Sequence, residues 1–323
     1  MAIKLSKSVQ DSLICPICNS PLNYVQEANQ FKCEHLGGGH EFPNINGIPC
    51  LINEQNSVFT IAGFLAHRDT FFVIEEAKPG FKSMVRKMIP SNSINTISKE
   101  KYKIFAERLL KKSASPKVLI LGGSILGHGT KELLNYPSIE LIESDVSFGP
   151  RTNIILDAHN IPFKNQTFDG VIVQAVLEHV VDPYVCVEEM HRVLKEEGLI
   201  YAETPFMQQV HGRQYDFTRF SHLGHRRLFR KFALIEDGAA CGPGMALSWS
   251  WLYFLNSFSD SKPIRSFLRV FGILSSFYLK YLDYYLLKKT GSLDGASSYY
   301  FIGTKSNLIL TDKELLNSYR GSF

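Results

Sequence analysis

Small and acidic residues follow three successive apolar runs in the middle of the chain, between positions 117 and 160. They are Gly122, Gly123, Ser124, Asp145, Asp157 and Ala158. Small residues let a backbone turn sharply and approach a ligand closely, and a carboxylate at the end of a strand can accept hydrogen bonds from a ribose diol. The spacing therefore predicts a binding site for a small molecule that carries a ribose.

A second polar segment, residues 203–227, combines aromatic rings with histidines and arginines. Guanidinium groups match phosphate or carboxylate oxygens in two-point contacts, and aromatic rings can stack on a sugar or a base. We therefore expect this segment to bind an anionic substrate, phosphorylated or glycosidic, through Tyr215, Arg219 and Arg226.

Three side chains of the same segment could act as a general base toward a hydroxyl acceptor, namely His211, Asp216 and His225. Each can remove a proton if it lies within hydrogen-bond reach of the acceptor. The alternative role for each is to hold the loop in place through hydrogen bonds to the backbone. The sequence leaves both roles open.

Four of the six cysteines lie within the first 50 residues. In a reducing compartment this grouping favours a metal site over disulfides. The predicted ligands are Cys15 and Cys18 of a Cys-Pro-Ile-Cys knuckle, Cys33 after a predicted hairpin, and His40, with His35 and Cys50 as alternatives for the fourth position. Cys50 suits a buried apolar position better than a ligand. A ribbon that folds on apolar contacts without metal is the other possibility.

Strand and helix patterns alternate around the central polar residues. Apolar runs predict strands over residues 118–121, 139–142, 168–173 and 199–202, with a further strand that Asp157 closes. One predicted helix follows Pro183 and stops at Gly198, and another runs from an N-cap at Ser98 to about Lys112. Such alternation predicts an α/β fold with a doubly wound, mostly parallel sheet and a ligand site beyond the carboxyl ends of its strands.

The order of these motifs resembles the class I S-adenosylmethionine-dependent methyltransferases, in particular the type 11 group. The resemblance covers roughly residues 116–236 and rests on linked motifs: the loop at 122–124, Asp-Val-Ser at 145–147, Asp-Ala at 157–158 and Leu-Glu-His-Val at 177–180. It implies a Rossmann-like fold and S-adenosylmethionine as the cofactor. Ile120 stands where the family usually has an acidic residue that helps to anchor the amino end of the cofactor.

The resemblance also implies which residues contact the cofactor. They are Gly122, Gly123 and Ser124 at the methionine part, Asp145 at the ribose, Asp157 and Ala158 at the adenine, and Gln174 and Glu178 beside the sulfonium.

Residues 13–52 resemble a short zinc-ribbon domain that occurs free as an activator of methyltransferases acting on translation components, and fused to bacterial methyltransferases. The matching features are Cys-Pro-Ile-Cys at 15–18 and Phe-Pro-Asn-Ile-Asn-Gly-Ile-Pro at 42–49. Leu36 stands where the last cysteine of that domain falls. The resemblance implies zinc as a second bound cofactor.

The chain is predicted to have three parts: a zinc-ribbon-like domain over 1–55, a helical linker or cap over 56–115 with helices at 59–76 and 80–88, and a cofactor-binding domain over 116–323. A helical insertion at about 245–292 precedes the last strand. On a helical projection its residues Arg265, Arg269, Lys280 and Asp283 fall on one narrow arc, and apolar residues cover the rest. The apolar face at 246–287 therefore packs on the protein itself, on a second copy of the chain, or on a membrane interface.

Composition narrows the function further. The chain has 323 residues, of which 45% are apolar, and its net charge of +4 is milder than that of most nucleic-acid-binding proteins, so a nucleic-acid acceptor is disfavoured. The first ten residues lack the apolar run of a signal peptide, and we expect a cytoplasmic protein, in peripheral contact with the inner face of the membrane if the insertion binds lipid.

The predicted function is S-adenosylmethionine-dependent O- or N-methylation of a small anionic or glycan-related acceptor. One alternative is methylation of tRNA or a translation factor, which the relatives of the ribbon suggest. Another is a non-catalytic binding module that retains the cofactor fold.

Overall fold

The computed structural model describes residues 2–35, 39–66 and 89–322. Its N-terminal part contains a short helix, α1 (Lys7–Gln10), and an antiparallel series of strands, β1 (Leu22–Val25), β2 (Gln30–Cys33), β3 (Glu41–Ile45) and β4 (Ile48–Leu51). The tight turn between β3 and β4 has left-handed backbone at Asn46 and Gly47. Asparagine and glycine tolerate that conformation, which explains why the turn forms here.

The rest of the chain alternates strands and helices. The helices are α2 (Ile61–Leu65), α3 (Ser98–Lys112), α4 (Pro183–Val193), α5 (His222–Leu228), α6 (Pro243–Asn256), α7 (Lys262–Ser276), α8 (Asp283–Leu286), α9 (Ser292–Gly295) and α10 (Asp312–Asn317). The strands are β5 (Lys117–Leu121), β6 (Glu140–Asp145), β7 (Ile154–Leu156), β8 (Phe168–Gln174), β9 (Leu194–Pro205), β10 (Phe232–Cys241) and β11 (Ser298–Lys305). Short 3₁₀ helices cover Thr130–Asn135, Arg213–Tyr215 and Phe277–Leu282.

All of these strands belong to one sheet with the order β1-β2-β3-β4-β7-β6-β5-β8-β9-β11-β10. Its central strands, from β4 to β9, run parallel, and β11 and β10 join antiparallel at one end. The predicted mixed α/β, Rossmann-like architecture with mostly parallel central strands is therefore confirmed.

The N-terminal strands continue the main sheet rather than forming a detached unit. Cys50 and Leu51 of β4 pair in parallel with Ile155 and Leu156 of β7. A single cluster of buried apolar side chains contains both Phe31 of β2 and residues of the central sheet. The two parts therefore share hydrogen bonds and core, and the domain boundary expected near residue 55 stays a prediction.

Two predicted helix ends are wrong. Ser98 is the first helical residue rather than the N-cap, and its backbone N–H donates instead to Asn95 Oδ1 at 2.9 Å. The helix after Pro183 ends at Val193 instead of Gly198, because the chain passes directly into β9. The helix expected over 59–76 is present as Ile61–Leu65, and the rest of it and the helix at 80–88 lie almost entirely outside the described residues.

Helices α6, α7 and α8 lie between β10 and β11. The arc predicted for this segment is wrong at two positions, because the 3₁₀ turns at Phe277–Leu282 break the regular helical spacing. Lys280 is buried and donates to the backbone oxygen of Ser91, and Asp283 accepts from the backbone N–H groups of Gly244 and Met245 at the start of α6. No helix in the described ranges has both the length and the apolar character needed to cross a bilayer.

Candidate functional site

A cavity with a volume of about 380 Å³ lies at the carboxyl ends of the central strands β5 to β9. In a parallel sheet the loops that follow the strands converge at this edge, where helices do not cover it. The volume is within the range of sites for small organic ligands. Tips of five strands therefore supply the candidate site.

The turn after β5 forms one wall of the cavity. Gly122 has left-handed backbone with φ +74°, and a Cβ placed there would lie 2.4 Å from Val176 Cγ2, so only glycine fits. Gly123 donates its N–H to the backbone oxygen of Ser144 at 2.8 Å. Ser124 is buried and does not line the cavity, although its N–H donates to Asp145 Oδ2 at 3.0 Å. The turn is thus tied to the end of β6.

Asp145 and Asp157 line the same cavity from the ends of β6 and β7. Burial raises the pKa of Asp145, and hydrogen bonds from Ser124 oppose that rise without cancelling it. Burial acts in the same direction on Asp157, but hydrogen bonds from His159 and Ser57 outweigh it and lower the pKa of that carboxyl. Asp157 is therefore an anion with fixed partners, and Asp145 is a buried acceptor at the cavity wall.

Gln174, at the end of β8, is held by a network in the cavity floor. Its amide Nε2 donates to Glu203 Oε2 at 2.9 Å, and its Oε1 accepts from the Tyr102 hydroxyl at 3.1 Å. Asn95 also donates to Glu203 Oε2 at 2.9 Å, and burial raises the pKa of Glu203. The predicted residue Gln174 thus lies in the cavity together with a buried carboxyl group.

Glu178, His179 and His211 meet at one corner of the cavity. Glu178 Oε1 lies 3.7 Å from His179 Nε2 and 3.9 Å from His211 Nε2. The Glu178 side chain is 1% exposed, and neither carboxylate oxygen accepts a hydrogen bond from any other described residue. Burial raises the pKa of Glu178 to about 8 and lowers that of His179.

Asp216 and Arg219 hold the loop that carries His211. Asp216 Oδ2 accepts from the N–H groups of His211 and Gly212 at 2.8 and 2.9 Å, and its Oδ1 pairs with Arg219 at 2.6 Å. Burial alone would raise the pKa of Asp216, but these partners hold it well below its usual value. Arg219 also donates to the backbone oxygen of Gln208 at 2.9 Å. Neither side chain lines the cavity, so the position of both fits a loop-fixing role.

The predicted residues His225 and Arg226 lie away from the cavity, on the buried side of α5. Burial lowers the pKa of His225 to about 3. Arg226 donates to the backbone oxygens of Phe229 and Phe232 at 2.8 and 3.2 Å. Tyr215 does line the cavity, and its ring stacks on Phe59 with 5.7 Å between centroids.

The side chains of the cavity wall include several carboxyl groups. Among the described residues its lining contains no lysine and no arginine. The acidic lining residues are Glu143, Asp145, Asp157, Glu178 and Glu203. Arg219 and Arg226, which were predicted to bind an anionic substrate, lie outside the lining of this cavity.

The N-terminal cysteines converge with His40. Sγ of Cys33 lies 3.7 Å from Sγ of Cys18 and 3.4 Å from Nδ1 of His40, and Sγ of Cys15 lies 3.5 Å from that Nδ1. A tetrahedral zinc ion with Zn–S near 2.3 Å and Zn–N near 2.05 Å places sulfurs about 3.8 Å apart and sulfur about 3.6 Å from nitrogen. Cys50 is buried in β4, outside this group.

Part of the sheet matches a known family. Residues 133–202, which include β6, β7, β8 and α4, match the family described as a methyltransferase domain. Over this segment the chain is similar to S-adenosylmethionine-dependent methyltransferases. Within the described cavity, the ends of β6 and β8 in this segment supply Asp145 and Gln174.

Individual relatives of the methyltransferase domain are distant. The demethylmenaquinone methyltransferase of Lysinibacillus sphaericus (strain C3-41) is 26% identical over 140 residues, which are 41% of this chain and 55% of that protein. The chain thus spans little more than half the length of this curated relative. Phosphoethanolamine N-methyltransferase 2 of Haemonchus contortus, in complex with S-adenosyl-L-methionine, has a TM-score of 0.42 and 14% identity, with 64% of this chain and 53% of that chain covered.

A chain from the complex that contains the Haloferax volcanii Trm112 methyltransferase activator has a TM-score of 0.38 and 17% identity. The match covers 67% of this chain and 100% of that chain.

Several residues that line the cavity were not predicted from the sequence. They are Phe59, Asn95, Tyr102, Glu203, Met245 and Trp249. Glu203 had a signal, since it follows the fifth predicted strand as Asp145 follows the second. Trp249 had none, because it reaches the cavity from the insertion, whose packing depends on tertiary contacts.

Proposed function

We propose that the chain transfers a methyl group from S-adenosylmethionine to a hydroxyl or amino group of a small-molecule acceptor. This proposal rests on one observation, namely that several residues expected to bind the donor line a single cavity. The glycine turn at 122–123 and the carboxylate of Asp145 face it from neighbouring strands, and Gln174 and Glu178 close its other side. A donor with a ribose and a methionine part fits between these groups.

We assign the donor contacts as the family resemblance implies, and the side chains that line the cavity support this assignment. Asp145 accepts from the ribose hydroxyls, and Asp157 with Ala158 borders the adenine. The glycine turn lies against the methionine part. Glu203, a buried carboxyl within the floor network, is suited to receive the ammonium group in place of the acidic residue that Ile120 replaces.

The acceptor lies at the corner of Glu178, His179 and His211. Methyl transfer from a sulfonium is an in-line displacement, so the enzyme chiefly aligns the acceptor atom and excludes water. Of the three predicted bases, His211 is the one that lines the cavity. Tyr215 and Trp249 add aromatic surface there, which suits a saccharide or another ring-bearing acceptor.

Calorimetry with S-adenosylmethionine and S-adenosylhomocysteine tests donor binding, and we expect both to bind at one site per chain. Incubation with donor labelled in the methyl group and fractionated cell extract then tests transfer. Label in small molecules or glycans supports the proposal, whereas label in RNA or protein favours the alternative acceptors. Donor binding without any labelled product would favour a non-catalytic module.

We also propose that Cys15, Cys18, Cys33 and His40 bind one zinc ion. The support is the agreement of their separations with a tetrahedral site. Backbone N–H groups of Ile17 and His40 point at the sulfurs of Cys15 and Cys33, at 3.4 and 3.1 Å, as charged thiolates require. Zinc here would be structural and would fix the loops of the ribbon.

We further propose that α7 and the turns after it contact an anionic membrane surface. Exposed aromatic side chains cover this segment and the loop before it, including Phe267 and Phe258, each 68% exposed. The exposed charges around them are mostly basic, namely Lys262, Arg265, Arg269, Lys288 and Lys289 against Asp260. A basic surface disfavours a second copy of itself and is attracted to acidic lipids.

A further inference from the structure

We infer that Glu178, His179 and His211 form a binding site for one divalent transition-metal ion at the acceptor end of the cavity. Their candidate ligand atoms lie within 4.8 Å of one another. Two imidazoles with one carboxylate are a ligand set that first-row metals such as iron, manganese, cobalt and zinc accept. This site is separate from the cysteine cluster of the ribbon.

The orientation of both histidines is set by the backbone. His179 Nδ1 lies 2.7 Å from the carbonyl oxygen of Tyr215, and His211 Nδ1 lies 3.0 Å from that of Gln209. A ring nitrogen this close to a carbonyl donates its hydrogen to it, which places the lone pair on Nε2. Metal-binding histidines are held by this arrangement, and here both Nε2 atoms face Glu178.

The carboxylate supplies a second and independent observation. Glu178 lies in the lining of the cavity, with a side chain that is 1% exposed and two oxygens that accept no hydrogen bond from other described residues. A buried polar group without a partner destabilises the folded state, and more so if it is charged. The guanidinium of Arg219, whose charge acts on Glu178, is already paired with Asp216. A cation in the corner would satisfy this carboxylate.

The separations of Nε2 and Oε1, 3.7 and 3.9 Å, exceed hydrogen-bond length and leave room for an ion between the side chains. A bound ion would draw the three atoms closer together. His211 is the most exposed of the three candidate ligands, because its side chain is 26% exposed and lies on a loop. Three protein ligands leave open coordination positions toward the cavity.

The role of the metal rests on the proposed methyl transfer, whereas the site itself does not. A metal would supply the positive charge that the acidic cavity lacks, and it would bind the oxygen of the acceptor. An acceptor hydroxyl bound there gives its proton to solvent, and its oxygen forms the bond to the methyl carbon. The electrons of the breaking carbon–sulfur bond stay on sulfur, and S-adenosylhomocysteine leaves. His211 then serves as a ligand instead of a base.

Manganese is the probe for the test, because thiolate sites that hold zinc select against it. The full-length chain, with its zinc content measured, is titrated with Mn²⁺ while the electron paramagnetic resonance of free Mn²⁺ is recorded. We expect one Mn²⁺ per chain beyond the zinc, with binding weakened more than about 100-fold in H211N and E178Q. H128N, which changes an exposed histidine of the cavity rim, is the matched control and should bind Mn²⁺ as the native chain does.

The binding of S-adenosylmethionine to each variant is measured by calorimetry. Donor binding shows that the variant is folded and that its donor site is intact. The inference is overturned if the native chain binds donor but no Mn²⁺, or if H211N and E178Q bind Mn²⁺ as tightly as H128N. Failure of the proposed methyl transfer has a different signature, because Mn²⁺ would then bind while donor would not.

Discussion

The carboxylates that line the cavity differ in how many hydrogen bonds they accept from the protein itself. Asp157 is engaged on both oxygens, by Ser57 on one and by His159 on the other. Asp145 receives the N–H of Ser124 on Oδ2 and faces the cavity. Capacity to accept hydrogen bonds from a ligand therefore lies mainly with Asp145.

Substitution of Asp145 by asparagine should weaken S-adenosylmethionine binding by about 10- to 100-fold, because hydrogen bonds to a charged acceptor contribute about 1.5–3 kcal/mol. Calorimetry measures this change. D169N is the matched control, since Asp169 bonds to Lys117 and Lys195 outside the cavity. Equal donor affinity in D145N and the native chain would remove Asp145 from the site.

His159 should make stability depend on pH. Its hydrogen bond to Asp157 raises the pKa of His159, so the charged ring stabilises the folded state below the unfolded pKa, near 6.5, and the contribution is lost as pH rises through the folded pKa. H159Q should thus cost about 1–2 kcal/mol of unfolding free energy near pH 5.5 and less near pH 9.

Urea unfolding at the two pH values measures this difference. H191Q is the control with the opposite sign, because burial lowers the pKa of His191 and its neutral form is the one that suits the fold. A cost of H159Q that is the same at both pH values would contradict the assigned ion pair.

At the scale of elements, the strands and the turns that follow them could be predicted from sequence, because buried parallel strands are continuous apolar runs. Gly122, Asp145 and Gln174 could be selected from the sequence and line the cavity, since each directly follows or ends such a run. The segment 206–227 has no comparable periodicity. There Asp216, Arg219 and Arg226 bond to backbone groups of their own surroundings, which only the folded chain reveals.

The pairing of β4 with β7 connects the N-terminal strands to the cavity. Val58 and Phe59, which follow β4 in the chain, line the cavity. C33S should lose zinc, lower the unfolding midpoint by on the order of 10 °C, and weaken donor binding. Zinc analysis, thermal unfolding and calorimetry measure the three effects.

C50A serves as the control for the ribbon, because Cys50 is a buried cysteine of β4 outside the cluster. It should keep one zinc per chain. Loss of zinc from C50A, or its retention in C33S, would contradict the assigned ligands, and H35A compared with H40A decides between the two histidines.

Acidic side chains of the cavity wall and basic side chains around α7 lie in separate regions of the molecule. The cavity wall carries carboxylates, whereas the segment around α7 carries exposed aromatic and basic side chains. Such a segment can rest on a lipid surface while the cavity keeps its own electrostatic character.

Vesicles containing acidic lipid should therefore carry the protein upward in a density gradient, and less so at high salt, because the attraction is screened. The double variant F258S/F267S should float less, and L308S, which changes an 83% exposed leucine elsewhere, should behave as the native chain. Protein that stays entirely at the bottom, or floats equally with neutral vesicles, would contradict the membrane contact.

The continuity of the sheet has a consequence for any attempt to shorten the chain. With β4 removed, the main-chain donors and acceptors of β7 that now bond to it would face solvent along an apolar strand. Strand edges of that kind recruit other molecules. A shortened chain that begins after residue 56 should therefore self-associate and precipitate. Pairing with β4 thus also protects the edge of β7 from aggregation.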